Sequence, residues 1–199
     1  MTSSNTVRAF LAVHVDEAIH AALARLRDEL AAIRSDVRWV RNEGLHATLK
    51  FLGSVPAEQL EQIRGTLAAV GEQHALCDVR VAGMGVFPSM RRPRVVWVGM
   101  HGDALTPLAR AVEDAVAPFG FAPERRPFHA HITLGRVNGP RGWPRVEEAL
   151  KAHWSDDLGI CTIDEIVAYR SDLRSGGAVY TKLWSIPLEG GRRGALPCH

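Results

Sequence analysis

The sequence of 199 residues is poor in cysteine and in lysine, and it has no long apolar run. Its three cysteines are widely spaced and form no Cys-x-x-Cys pair, which is typical of reduced thiols rather than of a disulfide framework. No stretch approaches the roughly 18 apolar residues of a membrane span, and the first residues do not resemble a signal peptide. We therefore expect a cytoplasmic protein that does not enter a membrane.

The chain also lacks an excess of charge of either sign. It has 24 Lys and Arg against 22 Asp and Glu, so its formal net charge is +2. That balance excludes general attraction to nucleic acid, although it permits a local basic cleft. Hydrophobic residues make up 46% of the chain and charged residues 23%, which excludes a disordered chain and fits one domain or two small lobes.

Hydrophobic periodicity predicts a mixture of strands and helices. Strands are predicted over residues 7–15, 37–40, 45–52, 77–87, 94–100, 128–134, 160–169 and 178–186. We expect Gly53 to end the third of these strands and the last two strands to form a closing hairpin. Helices are predicted to begin at Asp16, Pro56, Asp103 and Arg145. Because largely antiparallel strands mix with helices without successive βαβ units, the pattern favours an α+β fold.

Two strand-like segments repeat the pattern His-x-Thr-Leu. The first contains His46 and Thr48, and the second contains His131 and Thr133. Side chains alternate across a strand, so the His and Thr of each motif project from one face, about 7 Å apart. Two such strands side by side would form a cleft in which two imidazoles face each other and two hydroxyls flank them. A phosphate fits that gap, because hydroxyls can hold its oxygens while imidazoles accept and donate protons.

Either motif alone is more simply explained by a histidine that hydrogen bonds on a sheet surface, but the duplication favours a shared site. Strict alternation places Lys50 on the face of His46, where a lysine is usually a solvated charge. It places Arg136 on the face opposite His131. Arg136 can therefore reach a phosphate only if the strand ends or bulges at Gly135.

Other candidate residues carry weaker signals. His129 and His131 have a spacing that metals use, but no nearby Asp or Cys set completes the ligands, so we expect no metal and no other cofactor. P-loop and Gly-x-Ser-x-Gly patterns are absent. Phe128 is a candidate for stacking on a base, with core packing as the alternative. Each of five arginines either contacts RNA phosphates at the mouth of the cleft or lies in a solvated loop, and the sequence favours neither. They are Arg91, Arg92, Arg94, Arg125 and Arg126.

The residues around the motifs extend the pattern to HATLKFLG in the first case and PFHAHITLGR in the second. These segments resemble the motifs of the LigT/ThpR-type RNA 2′,3′-cyclic phosphodiesterases (2′-5′ RNA ligase family) of the two-histidine phosphoesterase superfamily, except that Ala130 replaces a usual proline. The resemblance covers about residues 6–187. It implies one bilobal α+β domain over 1–187, with pseudo-twofold lobes of mainly antiparallel sheet, helices outside and a cleft between. Residues 188–199 are expected to form a flexible C-terminal tail.

The resemblance implies metal-independent hydrolysis of RNA 2′,3′-cyclic phosphate ends to 2′-phosphomonoesters, with reversible 2′-5′ RNA ligation as a further family reaction. It makes His131 the general base and His46 the general acid, an assignment that the similar spacing of the motifs cannot supply. Thr48, Thr133 and Arg136 are expected to bind the substrate phosphate. Two alternatives stay open: a non-catalytic module for RNA ends or nucleotides, and a phosphodiesterase for small cyclic nucleotides. We expect a monomer.

Overall fold

A computed structural model describes residues 6–174 and 177–190 of the chain. The strands are β1 Thr6–His14, β2 Val37–Trp39, β3 His46–Pro56, β4 Cys77–Ser89, β5 Arg92–His101, β6 His131–Val137, β7 Asp157–Ile163, β8 Glu165–Arg174 and β9 Gly177–Pro187. The α-helices are α1 Glu17–Ala31, α2 Ala57–Gln73, α3 Leu105–Val116 and α4 Trp143–Ala152. Two short 3-10 helices occupy Asn42–Gly44 and Ala117–Phe119.

The strands form one curled antiparallel sheet in the order β7-β4-β5-β6-β3-β1-β8-β9, with β2 paired to β6. At the centre of this order, β3 and β6 are joined by a single residue pair, Ala47 and Ile132. Three further strands lie on the outer side of each central strand, so the sheet has two similar halves. Helices α2 and α3 pack on the half that contains β3, and α1 and α4 pack on the half that contains β6. The predicted α+β fold is confirmed.

One face of the sheet packs against the α-helices, and no α-helix of the described residues packs on the other, which we call the helix-free face. In β1, Ala9, Leu11 and Val13 belong to the core, while the alternate residue Phe10 is buried outside that core on the opposite face. In α1 the apolar residues Ile19, Leu23, Leu26 and Leu30 are buried in the same core. Asp16 caps this helix as expected, since its carboxylate accepts the Ile19 N–H at 2.9 Å.

Several predicted boundaries are wrong. The strand predicted over 128–134 is β6 at His131–Val137, and α4 begins at Trp143 rather than at Arg145. Gly53 does not end β3 but continues it with φ +70°, beside a shift in the register with β1, because a bulge admits a left-handed glycine. Asp103 does not cap α3, whose N-cap position is Ala104. The apolar run 160–169 holds parts of two strands, because β7 pairs with β4 and β8 pairs with β9. That change of partner strand leaves no mark in the local sequence.

The first residues of the expected tail are bound to the domain. Leu188 is buried in the core, and the N–H groups of Glu189 and Gly190 donate to carbonyls of Gly71 and His74 at 2.8 and 3.0 Å. The rest of that segment, 191–199, lies outside the described residues.

Two further findings concern thiols and membranes. Cys77 and Cys161 are free thiols, while Cys198 lies outside the described residues. No helix in the described part of the chain has the length and hydropathy needed to cross a membrane.

Candidate active site

The motif residues flank the single residue pair that joins β3 to β6. Continuing that antiparallel register by one residue in each direction puts His46 opposite Thr133 and Thr48 opposite His131. Because the paired residues between them point into the core, these four side chains lie on the helix-free face. The structure thus brings together both histidines and both threonines that the sequence singled out.

A bulge in β6 brings Arg136 to this face. The register between β6 and β5 shifts after Thr133, so Leu134 is an extra residue without a partner in β5. Leu134 and Gly135 are both buried toward the core, and alternation restarts with an exposed Arg136 on the face of His131. The irregularity that Arg136 needs in order to reach the site is therefore present.

A bulge at the corresponding place in β3 turns Lys50 away from the helix-free face, whereas the bulge in β6 turns Arg136 toward it. Leu49 is the extra residue opposite β1, and Lys50 turns toward the helices. The prediction that Lys50 shares the face of His46 as a solvated charge is therefore wrong. The Lys50 ammonium group is buried and donates at 2.7 Å to Glu113 Oε1 and to the Ala122 carbonyl.

His46 is enclosed by aromatic rings and only 8% exposed. Its ring stacks on Phe10 and Tyr169, with centroids 4.8 and 5.5 Å away, and meets the edge of Tyr180 at 5.1 Å. Burial, followed by the nearby His14, lowers the pKa of His46 to about 4. The Nδ1 atom of His46 is buried and has no hydrogen-bond partner among the described residues. His46 is consequently neutral at pH 7 in the free protein.

A chain of hydrogen bonds holds one wall of this enclosure. The Tyr169 hydroxyl donates to His14 Nδ1 at 3.2 Å, and His14 Nε2–H donates to Glu165 at 3.0 Å. Lys182 Nζ donates to the same carboxylate at 2.7 Å. Burial lowers the pKa of His14, which favours the neutral ring that this arrangement needs. These hydrogen bonds fix the ring of Tyr169 against His46. The sequence did not predict the roles of Tyr169, His14, Glu165 and Lys182.

His131 is more open, and its hydrogen bond fixes its tautomer. Its Nδ1–H donates to the His129 carbonyl at 2.7 Å, which leaves a lone pair on Nε2 when the ring is neutral. Phe87 and Trp97 meet the ring edge to face at 5.0 and 6.3 Å. Burial lowers the pKa of His131, although its bond to the His129 carbonyl opposes this. A neutral imidazole with an acceptor nitrogen available has the form of a general base.

Two cavities lie at different places around the site. Arg136 and Tyr180 line a cavity of about 380 Å³. Phe128 lines another of about 360 Å³ with Met100 and Leu105, and its ring packs against the core. Phe128 thus lines a different cavity from Arg136 and Tyr180. Neither cavity is lined by the arginines that the sequence singled out near the motifs, Arg91, Arg92, Arg94, Arg125 and Arg126.

The described residues show no grouping of three or more His, Cys, Asp or Glu side chains that could hold a metal ion. Of the two histidines with a metal-like spacing, His129 serves His131 through its backbone carbonyl instead.

The chain matches the family model of LigT-like phosphoesterases twice, over residues 13–97 and 98–180. Each match contains one His-x-Thr motif. The first match begins in β1 and the second in β5, which belong to different halves of the sheet. Together the matches cover most of the sequence. The chain therefore belongs to the LigT-like phosphoesterase family.

Individual relatives agree with this assignment. The RNA 2′,3′-cyclic phosphodiesterase of Methanothermobacter thermautotrophicus is 34% identical over 178 residues, covering 89% of this chain and 96% of the relative. The protein of the same name from Aeropyrum pernix is 34% identical over 166 residues, which cover 82% of this chain and 93% of the relative. A Thermus thermophilus structure superposes with a TM-score of 0.80 at 28% identity, covering 92% and 99%. E. coli LigT complexed with 3′-AMP gives a TM-score of 0.71 at 27% identity, with coverage of 92% and 99%.

Proposed function

We propose that the protein hydrolyses RNA 2′,3′-cyclic phosphate ends to 2′-phosphomonoesters by paired histidine catalysis that needs no metal ion. The observation that carries this proposal is the placement of two His-Thr pairs on one helix-free face, across the junction of β3 and β6. Relatives that are 34% identical over most of the chain and are named RNA 2′,3′-cyclic phosphodiesterases support the choice of substrate.

The substrate phosphate is held by Thr48, Thr133 and Arg136. A five-membered cyclic phosphodiester is already strained, so the site has to supply a water, two proton transfers and stabilisation of negative charge. The two threonine hydroxyls donate to non-bridging oxygens, whose charge grows as water adds to phosphorus. Arg136, which the bulge in β6 turns to this face, adds a charge-assisted hydrogen bond.

The two histidines move protons in opposite directions. His131 Nε2 takes a proton from the attacking water, because its Nδ1–H is engaged by the His129 carbonyl. His46 gives a proton to the departing ribose O3′, so the P–O3′ bond breaks and the phosphate remains on O2′. Since its pKa is about 4 in the free protein, His46 takes up that proton when the anionic substrate arrives and raises this value. The 2′-5′ ligation is the same displacement with an RNA 5′-hydroxyl in place of water.

A non-catalytic module for RNA ends is the second candidate. It is favoured by the low pKa of His46, which leaves this residue without a proton to donate in the free protein. Two histidines on one face, each beside a threonine of the opposite strand, favour catalysis, because binding alone requires no opposed proton-transfer groups. A phosphodiesterase for small nucleotides draws support from the complex of E. coli LigT with 3′-AMP. We also propose a cytoplasmic monomer, since one chain supplies both motifs.

An RNA oligomer that ends in 2′,3′-cyclic phosphate tests the proposal when it is incubated with the protein in EDTA. We expect an unreduced rate and a 2′-phosphate product, identified by chromatography against both phosphate isomers. Loss of activity that a divalent ion restores would contradict metal independence. Binding of the oligomer without turnover would favour the non-catalytic module, and a 3′-phosphate product would contradict the proposed leaving group.

A further inference from the structure

A basic cavity adjoins the proposed catalytic site next to Tyr180. Its volume is about 380 Å³, and no Asp or Glu is among the described residues that line it. Sites for small ligands measure about 300–1,000 Å³, so the cavity has room for roughly one nucleotide. The arginine and aromatic residues that line it are Arg38, Arg41, Arg136, Arg174, Trp39 and Tyr180.

The four arginines of this cavity form no ion pair with any described residue, whereas Arg27, Arg141 and Arg170 elsewhere pair with aspartates. Arg38 lies directly opposite Arg136 in the register between β2 and β6. Like charges in that position destabilise a sheet. The net charge of the chain is only +2, so the cavity concentrates positive charge that the fold does not neutralise. Such a concentration of cations favours an anionic ligand.

Two residues connect the cavity to the catalytic face. Arg136 lines the cavity and shares the face of His131, and Tyr180 lines the cavity while its ring meets His46 at 5.1 Å. A substrate with its terminal phosphate between the histidines therefore extends into the cavity. Tyr180 is a half-buried aromatic residue beside the arginines, and bases of single-stranded RNA stack on such rings. The ring of Trp39 instead lies on the core-facing side, next to Gly135.

We propose that this cavity is a subsite for the second nucleotide of an RNA chain, counted from the end with the cyclic phosphate. Arg38, Arg41 and Arg174 bind the phosphate that joins the last two nucleotides, and the Tyr180 ring offers a surface for base stacking. The inference rests on the proposed function and makes RNA chains of two or more nucleotides the preferred substrates.

The ratio of two kcat/KM values tests the subsite. We compare a short oligonucleotide that ends in 2′,3′-cyclic phosphate with the corresponding mononucleotide 2′,3′-cyclic phosphate. We expect the wild type to prefer the oligonucleotide at least tenfold, and Arg41→Ala and Arg174→Ala each to lower this preference about five- to tenfold. Arg110→Ala is the matched control, because it removes an equal charge from the exposed surface of α3.

Salt dependence adds a readout that a loss of folding does not imitate. The slope of log kcat/KM for the oligonucleotide against log salt should become about 0.7 less negative for each phosphate contact that a variant loses. The slope for Arg110→Ala should remain that of the wild type.

Binding of an oligonucleotide that ends in 2′-phosphate, measured by fluorescence anisotropy, separates the subsite from catalysis. Affinity should fall about five- to tenfold in Arg174→Ala and remain at the wild-type value in Arg110→Ala. Equal kcat/KM for both substrates in the wild type would overturn the subsite and leave the proposed function standing. So would an equal loss of oligonucleotide preference in Arg41→Ala, Arg174→Ala and the control Arg110→Ala. Arginine-dependent binding without turnover of either substrate would overturn the function and support the subsite.

Discussion

The two His-x-Thr motifs share one backbone arrangement but have different surroundings. Each has a bulge at the leucine that follows its threonine, Leu49 in β3 and Leu134 in β6. His46, however, is enclosed by aromatic rings and leaves Nδ1 unpaired among the described residues, whereas His131 donates from Nδ1 to a backbone carbonyl. Strand geometry thus positions the two imidazoles, while the packing around each ring sets its protonation.

The residues after the two bulges differ as well. The core-facing position is a buried lysine, Lys50, in β3, but in β6 it is Gly135, where a Cβ atom would lie 2.8 Å from the Trp39 ring. The next position is Phe51, which is 57% exposed, in the first motif and Arg136 in the second. Only one half of the molecule therefore turns a cation to the site at this place. We expect the substrate phosphate to be held unequally by the two halves.

Removing either imidazole should have the largest effect on turnover. We expect His46→Ala and His131→Ala each to lower kcat by roughly 10²–10⁴-fold, because each removes one positioned proton-transfer group. His46→Gln serves as a second variant that fills more of the space among the rings. Steady-state kinetics on a cyclic phosphate, with folding checked by circular dichroism, measures the effect. Near-wild-type turnover in a folded variant of either histidine would contradict the mechanism.

The buried lysine of the first motif should matter for stability rather than for chemistry. Glu113→Gln removes the carboxylate 2.7 Å from Lys50 and leaves Glu124, at 3.7 Å, as the remaining anionic partner. We expect the free energy of unfolding to fall by about 2 kcal/mol, because the buried ammonium group loses its main charged hydrogen-bond partner. Urea unfolding measures this change, with the exposed neighbour Asp114→Asn as control. A loss of kcat in Glu113→Gln without a loss of stability would place Lys50 in the catalytic site.

Arg136 should contribute less than the histidines but more than an exposed arginine. We expect Arg136→Ala to lower kcat/KM about 10- to 100-fold, because a charge-assisted bond to the phosphate is lost. Arg136→Lys should recover part of this loss, since it keeps the charge without the planar fork. Arg145→Ala, on the exposed surface of α4, is the control. An effect of Arg136→Ala no larger than that of the control would remove Arg136 from the site.

The enclosure of His46 should make the protein sensitive to acid. The ordinary pKa of 6.5 applies to His46 in the unfolded chain, and the folded value is about 4. Between these values the unfolded state binds a proton that the folded state does not, so the free energy of unfolding falls as the pH falls. From pH 7 to pH 5 the contribution of His46 is about 2 kcal/mol.

His46→Phe, which keeps a ring among the aromatic neighbours, should therefore lose less stability than the wild type over this pH interval. The remaining loss should be attributable in part to His14 and His131, whose pKa values burial also lowers. Urea midpoints at the two pH values measure the difference, with His101→Gln on the exposed surface as control. An unchanged acid sensitivity in His46→Phe would show that burial does not hold this ring neutral.

Sequence reasoning located the motif residues because the alternation of side chains along a strand is a local property. It placed Lys50 wrongly, and it left Arg136 dependent on a bulge, because both bulges arise from register with β1 and β5. It could not find the rings around His46, which come from β1, β8 and β9 and meet only in the folded sheet. Arg38, Arg41 and Arg174 escaped notice for the same reason.

We expect the two similar motifs to hold their histidines in opposite roles. The pH dependence of kcat/KM, with chemistry rate-limiting, tests these roles when it is measured for the wild type, His131→Ala and His46→Ala. We predict a bell-shaped profile whose maximum lies below pH 6.5, because burial lowers the pKa of both residues. His131→Ala should lose the acid limb and His46→Ala the alkaline limb. Loss of the acid limb in His46→Ala would exchange the roles, and a flat wild-type profile would contradict paired imidazole catalysis.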